Sequence, residues 1–411
     1  METIENRCWA GVDWGDKEHT LCVVSQEGDV LYSLHVSHSA SGVAQLVQTL
    51  GGWPGLAGVA LETSRHVLVD ALLKAGIAVY PINPRQSHQW RHCESVAGPK
   101  NDLRDARSLA NGLRLYAKNL RQLHPENTSI RVLTMMCEHE QGLIEQRTAL
   151  VNALQAALKA YFPVVLAWFP NWALPVAWQF VQEFPTPEAL AQARKQTLCG
   201  WFKTRRLAMT PDRLSLIDHR QDVLALTADP VTHAAHGLRT AALARQLLAL
   251  QKGIDEHRVQ IETLYRQLPE APLFSSLPGA GRKLAPRLLC LFGADKQRYL
   301  TAKNLCMLAG TVPVEFESGN KSAVVFRRGC HKSYRNWLHQ FAWLSTRYCN
   351  WAKAFYKKCR RDKQTHAQAL RNLATKWIHI IFRMWHDNAP YDNQRYLDAL
   401  KRANSPLCQL L

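Results

Sequence analysis

Lys100-Asn101-Asp102-Leu103-Arg104-Asp105-Ala106-Arg107 follows Gly98-Pro99 and opens an apolar-periodic run through Leu109 and Leu113, the pattern of a helix start. Asp102 and Asp105 stand at i and i+3, which on a helix puts both carboxylates on one face with their Cβ atoms about 5–6 Å apart. Two bare carboxylates that close repel each other. They are tolerated when solvated at a helix start, where the dipole favours acids, when paired with Arg104 or Arg107, or when a divalent cation lies between them. What separates these readings is whether other acids reach the same point.

The residues before this stretch supply two. Cys8 to Trp14 reads as a buried strand that ends in Asp13, and Thr20 to Val24 as a second strand. A turn at Gln26 to Asp29 leads into a third strand, Val30 to Val36. A helix is expected around Ser41–Leu50, then a fourth strand, Gly58 to Leu61, ending at Glu62. Thr63-Ser64 is the expected cap of a helix over Val67–Lys74 that stops at Gly76. Ile77 to Pro81 is the fifth strand. Three antiparallel strands followed by alternating helices and strands is the order of a ribonuclease-H-like α/β fold. In such a sheet the first and fourth strands are neighbours, so Asp13 and Glu62 fall side by side and the Asp102 helix packs across them. Four converging carboxylates call for bound cations, and a pair of Mg²⁺ ions about 3.5–4 Å apart is the usual arrangement for phosphodiester chemistry. Mn²⁺ could substitute. Asp16, in a Gly-Asp-Lys-Glu turn, competes with Asp13 but sits where acids are common without function. Asp70 and Glu94 read as surface acids.

The chain is long enough, at 411 residues, for two or three domains, and 47% of it is hydrophobic, so ample core is expected. The net charge is +18, and from Ser318 to Leu411 there are 18 Lys and Arg against 4 Asp and Glu. That balance points to a polyanion, nucleic acid or a membrane surface. The longest apolar run, Ala160–Phe169, is too short to cross a bilayer and is broken by Pro163. The polar N-terminus is not a signal peptide, so a cytoplasmic protein with no membrane partner is expected. The 11 cysteines show no C-x-x-C pair and read as reduced, mostly core residues. Nucleic acid is left as the leading partner.

Beyond residue 125 the pattern turns helical. Residues 126–269 carry two long amphipathic runs, one marked by Ile130, Leu133, Leu143, Leu150, Leu154 and Leu158, the other spanning Leu238–Leu268. They predict a coiled-coil-like arm, formed either as a hairpin within the chain or as a dimer contact. The Pro- and Trp-rich stretch 163–230 reads as an insertion at its tip. Residues 270–411 form a basic, mainly helical domain. Leu277-Pro278-Gly279-Ala280-Gly281, ahead of an apolar run over Leu284–Phe292, resembles a helix-hairpin-helix whose Gly279 and Gly281 offer backbone N–H groups to a phosphate; a plain tight turn is the alternative. A short helix over Asn304–Leu308 precedes an exposed loop or hairpin, Gly310 to Lys321. Then come Arg327-Arg328-Gly329 and a basic helix, Lys332–Trp351. Lys321, Arg327, Arg328, Lys332 and Arg335 are the expected nucleic-acid contacts. Tyr334, Trp337, Trp343, Tyr348, Trp351, Phe355 and Tyr356 are interleaved with these charges, a pattern suited to phosphate neutralisation with base stacking, although a helix must also bury an apolar face.

Ser318 lies in Glu-Ser-Gly-Asn-Lys within the exposed loop. Alone it signals nothing. In sequence, the acids Asp13, Glu62 in Leu-Glu-Thr, and Asp102 and Asp105 in Lys-Asn-Asp-Leu-Arg-Asp-Ala, then the long arm, Pro-Gly-x-Gly, and Val-Pro-x-x-x-x-Ser-Gly-x-Lys, resemble the DEDD transposases of bacterial insertion sequences, the insertion sequence one-ten family. The resemblance spans nearly the whole chain. It departs in Asn320, where a second glycine is common, and in a longer middle region. It implies a RuvC-like domain over 1–125 whose acids bind Mg²⁺, and a C-terminal transposase domain in which Ser318 is the nucleophile. It further implies donor and target DNA as substrates, a noncoding bridge RNA that pairs with both, and dimers assembling into a tetramer in which Ser318 of one subunit meets the acids of another. A water-using RuvC-like endonuclease with Ser318 idle, and a non-catalytic nucleic-acid scaffold, are the rival readings.

Overall fold

The computed structural model describes residues 7–63, 67–94, 101–123, 126–222, 229–318 and 321–410, with the side chains of 94, 230, 316–318, 321, 322, 409 and 410 left aside. Gly98, Pro99, Lys100, Ser64, Gly319 and Asn320 lie outside the described residues. The chain divides into two compact units, 1–125 and 126–411.

The first unit is built on β1 (Cys8–Trp14), β2 (Glu18–Val24), β3 (Val30–Ser37), α1 (Ala40–Gly51), β4 (Leu56–Leu61), α2 (Val67–Lys74), β5 (Val79–Pro81), α3 (Pro84–Glu94) and α4 (Asp102–Tyr116). The sheet order is β3-β2-β1-β4-β5. β1 pairs antiparallel with β2 and parallel with β4, and β4 pairs parallel with β5, so the first and fourth strands are neighbours as expected. Alternation along the strands sorts side chains to two faces. Cys8, Ala10, Val12, Leu21 and Val23 join Leu46, Leu50, Leu68 and Leu72 of α1 and α2; each fully buried leucine is worth about 1.5–3 kcal/mol. Cys22 and Val24 face Ala106 and Ala110 of α4 on the opposite side. Both faces are covered, as a sheet with parallel crossovers requires. α4 begins at Asp102, capped by the Asn101 side chain, which accepts from Leu103 N–H.

In the second unit, α5 (Thr128–Tyr161) precedes α6 (Pro175–Glu183), α7 (Pro187–Gln192), α8 (Lys195–Thr204) and α9 (Pro211–Asp218), and α10 (Pro230–Arg266) returns. α5 and α10 run antiparallel: Tyr161 meets Thr240, Arg147 meets Gln251 at 2.7 Å, and Glu140 meets Arg258 at 2.8 Å. The two long runs therefore pair within the chain. α10 starts eight residues earlier than its apolar pattern suggests, because the Asp229 side chain caps it and Pro230 takes its first position. The segment between them forms a core of its own around Trp168, Trp178, Phe180 and Phe202.

There follow α11 (Ala271–Ser275), α12 (Gly281–Phe292), α13 (Ala302–Leu308), the hairpin β6 (Val314–Ser318) and β7 (Lys321–Val325), α14 (Lys332–Tyr348), α15 (Asn350–Arg361), α16 (His366–His386) and α17 (Asn393–Arg402). The basic helix expected to run to Trp351 breaks at Cys349, whose extended backbone starts α15. The core here is Trp337, Trp351, Trp377 and Trp385, each at most 1% exposed. The 11 cysteines are free thiols and seven are buried. No helix among the described residues is long and apolar enough to cross a membrane.

Candidate functional site

The acidic site is placed by a glycine. A Cβ on Gly11 would stand 2.1 Å from the Ala106 carbonyl oxygen and 2.5 Å from Ala110 N. Only a residue without a side chain lets the backbone of α4 come this close to β1. That contact fixes the first turn of α4, with Asp102 and Asp105, near the β1 end that carries Asp13. Val12 pairs with Leu61 in the parallel register. Asp13 is the next residue of β1 and Glu62 the first residue past β4, so the two follow strands spaced at roughly 4.8 Å.

Arg91 of α3 supplies the charge between two of these acids. Its Nη1 donates to Asp105 Oδ2 at 2.8 Å, and its Nη2 lies 3.8 Å from Glu62 Oε1. The Ser87 hydroxyl, one turn earlier on α3, also donates to Glu62. Asp105 is buried, at 6% exposure, Glu62 is half-buried and Asp102 is exposed. The sequence offers Arg104 or Arg107 as partners of the pair; the structure gives Asp105 to Arg91 instead, because α3 and not the next turn of α4 crosses the strand ends. Among the described residues no three His, Cys, Asp or Glu side chains come together at metal-binding distance. The guanidinium is a stand-in cation on Glu62 and Asp105, and the donor set, oxygens only, is of the kind that hard divalent ions take. Ser87 and Arg91 escape a motif reading, since only the crossing of α3 over the strand ends gives their i, i+4 spacing meaning.

In the second unit, Ser318 ends β6 and pairs across the hairpin with Lys321; the side chains of both lie outside the described residues. Arg327, just past β7, is half-buried and donates to the Val312 and Pro313 carbonyls at 3.4 and 3.3 Å, tying down the hairpin base. Arg328 and Lys332 are exposed, and the Arg335 guanidinium lies 5.2 Å from the centroid of Phe326. Of the aromatics expected to stack bases, Tyr334, Trp337 and Trp351 are core. Trp343 and Tyr348 are exposed, at 38% and 69%, as is Phe326 at 42%. Gly279 has a φ of 82° and its Cβ position is crowded by Tyr348 and Leu344, so it serves the packing of the turn on α14. Gly281, the first residue of α12, has open space around it.

A charge network links helices of the same unit. Glu140, 4% exposed, accepts from Arg258 Nε at 2.8 Å and from Arg287 Nη2 at 2.9 Å, and Arg287 is equally buried. The neighbouring Lys283 ammonium is held below its usual range, first by Arg258 and then by burial.

Comparison with known proteins gives this arrangement a family. A sequence profile of the DEDD transposases of IS110 elements, described as transposase, matches residues 10–163. A second, described as transposase of the IS116/IS110/IS902 family, matches residues 271–357. The IS117 mini-circle protein of Streptomyces coelicolor is 26% identical over 407 residues, covering 96% of this chain and 98% of that protein. The 44.8 kDa protein of insertion element IS116 from Streptomyces clavuligerus is 26% identical, over 94% of this chain and 96% of its own length. The IS900 protein of Mycobacterium paratuberculosis is 23% identical, over 93% and 96%.

Proposed function

Because the chain belongs to the IS110/IS116/IS902 family of transposases, which cut and transfer DNA, we propose that it recombines DNA through a covalent phosphoserine at Ser318. The first unit, by its strand order, is read as a ribonuclease-H-like platform, residues 126–269 as the helical arm and 270–411 as the domain that carries the nucleophile. The observation that carries the reading is the placing of Ser318 at the end of β6, on a hairpin whose base is held by Arg327.

Asp13, Glu62, Asp102 and Asp105 would hold divalent ions, Mg²⁺ with Mn²⁺ as a substitute, which supply Lewis-acid polarisation of the phosphate and a lowered pKa for the attacking hydroxyl. Ser318 Oγ attacks phosphorus. The Oγ–P bond forms as the P–O3′ bond breaks, the serine proton is released to water, and the leaving 3′ oxygen takes up a proton. The 5′ phosphate stays on the protein. After strand exchange a new 3′-hydroxyl attacks the phosphoserine and returns the serine proton. One ester is made for each one broken, so no nucleotide cofactor is consumed. Lys321, which pairs with Ser318 across the hairpin, would steady the charge on the five-coordinate phosphorus, while Arg327 holds the hairpin base through the Val312 and Pro313 carbonyls.

Sequence choice is delegated to a noncoding RNA of the element that pairs with donor and target DNA, while the protein reads backbone and shape. The net charge of +18 suits two polyanions at once. Assembly as dimers that join into a tetramer on DNA completes the reading. The test incubates the protein with the noncoding RNA flanking its gene, Mg²⁺ and end-labelled DNA, then denatures. A DNA–protein adduct is expected for the wild type and is absent in Ser318→Ala and Asp102→Ala. An adduct that survives Ser318→Ala removes the serine from the mechanism, and cleavage with no adduct favours water as nucleophile.

A further inference from the structure

Phe326 follows β7 directly and is 42% exposed. Two guanidinium groups lie over its ring: Arg371 of α16, with Cζ 4.8 Å from the centroid, and Arg335 of α14, at 5.2 Å. Stacking uses the face of a guanidinium and leaves its N–H edge free to fork a phosphate. Arg335 spends one N–H on Cys330 Sγ at 3.4 Å. Arg371 makes no side-chain hydrogen bond among the described residues, and neither arginine has an ion-pair partner there. His339, one turn beyond Arg335 on α14, has its Nε2 buried with no hydrogen-bond partner among the described residues. Burial, then Arg371, Arg335 and His366, push that imidazole down to about 4. Burial, then Arg335, hold the Arg371 guanidinium below its usual range.

We propose that Arg335 and Arg371, fixed on the two helices that flank Phe326, form a binding site for a phosphodiester of the DNA substrate, with His339 at its floor. Like charges fixed around one aromatic ring repel, and an anion between their free edges is what relieves the repulsion. The site lies five residues along β7 from Lys321, the partner of Ser318. That is about 17 Å of strand, or roughly five nucleotides at 3.4 Å each. It therefore grips the backbone at a distance from the hairpin turn. The proposal rests on the family's action on DNA and not on the role of Ser318.

Fluorescence anisotropy with a labelled DNA duplex and the full chain tests it, as a function of salt. One lost phosphate contact lowers the slope of log K against log[salt] by about 0.9, an affinity loss of about eightfold at 0.1 M salt. Arg371→Gln and Arg335→Gln are each expected to show that loss. Arg371→Lys keeps the charge and the slope, and guards against a folding defect, as does thermal unfolding of each variant. Arg383→Gln on the same helix, where Arg383 pairs with Asp387, leaves binding unchanged. This assay reads equilibrium binding and forms no adduct, so failure here is separable from failure of the nucleophile assignment. Wild-type affinity and slope in Arg371→Gln and Arg335→Gln overturn the proposal. So does an equal loss in Arg383→Gln, or a loss seen with an RNA duplex and not with DNA.

Discussion

Gly11→Ala should loosen the acidic site without touching an acid. The new Cβ would meet the Ala106 carbonyl oxygen at 2.1 Å, Ala110 N at 2.5 Å and Leu109 Cβ at 2.9 Å. Two of the three obstacles are backbone atoms, which no rotamer change removes. Ordinary contact needs about 3.5 Å, so α4 must back away from β1 by more than about 1 Å. Overpacking of this kind costs about 1–3 kcal/mol, here toward the upper end. Replacing a strand glycine recovers about 0.5–1 kcal/mol of backbone entropy. The steric effect wins, leaving a loss of about 2 kcal/mol. For a unit of this size that lowers the melting temperature by roughly 6–10 °C. Hydrogen exchange on the full chain should show lost protection in residues 8–14 and 102–116 and none in α14 or α16. Strand-transfer activity should fall about 100-fold even where the unit is still folded, the usual effect of a 1 Å misplacement. Wild-type melting together with wild-type protection would refute the close approach of α4 to β1, and with it the placement of Asp105.

Three further changes read out other parts of the molecule. Arg91→Gln removes the cation that sits on Glu62 and Asp105; Mn²⁺ titration followed by electron paramagnetic resonance should show about tenfold tighter binding, ~1.4 kcal/mol, whereas weaker binding would make Arg91 a support of the metal site. Glu140→Ala strands the buried Arg287 opposite no acid, a loss of about 3–5 kcal/mol, measurable by urea unfolding; a loss below 1 kcal/mol would mean that water reaches the pair. The neutral His339 side chain, with Arg371, Arg335 and His366 facing it, has its folded pKa depressed from 6.5 to about 4. The unfolded chain therefore binds more protons between these values, and stability rises with pH there. This contribution is full above pH 6.5 and is lost as pH falls toward 4. His339→Gln should flatten that part of the stability profile.

What could be read from the sequence was whatever depends on near neighbours. Cys8 to Trp14 shows its burial in its own composition, and the i, i+3 spacing of Asp102 and Asp105 survives as a shared helical turn because Asn101 caps it. The β1–β4 pairing followed from strand order alone. Arg91 was not legible: the periodicity around it marks a helix, and only the crossing of α3 over the strand ends tells which acids it reaches. The break at Cys349 was equally hidden, since Lys332 to Trp351 keeps a continuous apolar face on both sides of it. The partition of aromatics failed for the opposite reason. Tyr334, Trp337 and Trp343 share one helix and one composition, and only the packing of α12 against α14, where Tyr334 OH donates to the Cys290 carbonyl and Arg287 lies over Trp337, decides that the first two are core.

The cations of the two units are arranged by opposite rules, and the difference bears on function. Arg91 in the first unit lies between carboxylates that would otherwise repel, so the group it displaces or mimics there must be positive. Arg335 and Arg371 in the second unit lie together on one ring with no carboxylate partner among the described residues, which suits the anion proposed there. Of the chain's net charge of +18, the 94 residues after Glu317 contribute 18 Lys and Arg against 4 Asp and Glu. A structural excess of this kind is normally spread over a solvated surface, where the charges are far apart and screened within about 10 Å. Holding two of them against the same aromatic ring, half-buried, is favoured if the excess is neutralised during function. A polyanion lying along the hairpin base would do this, and a metal ion on Asp13 and Glu62 would do the reverse for the acids. On the proposed function, the first unit would take cations and the second phosphates, the two charge types that phosphoryl transfer on DNA involves.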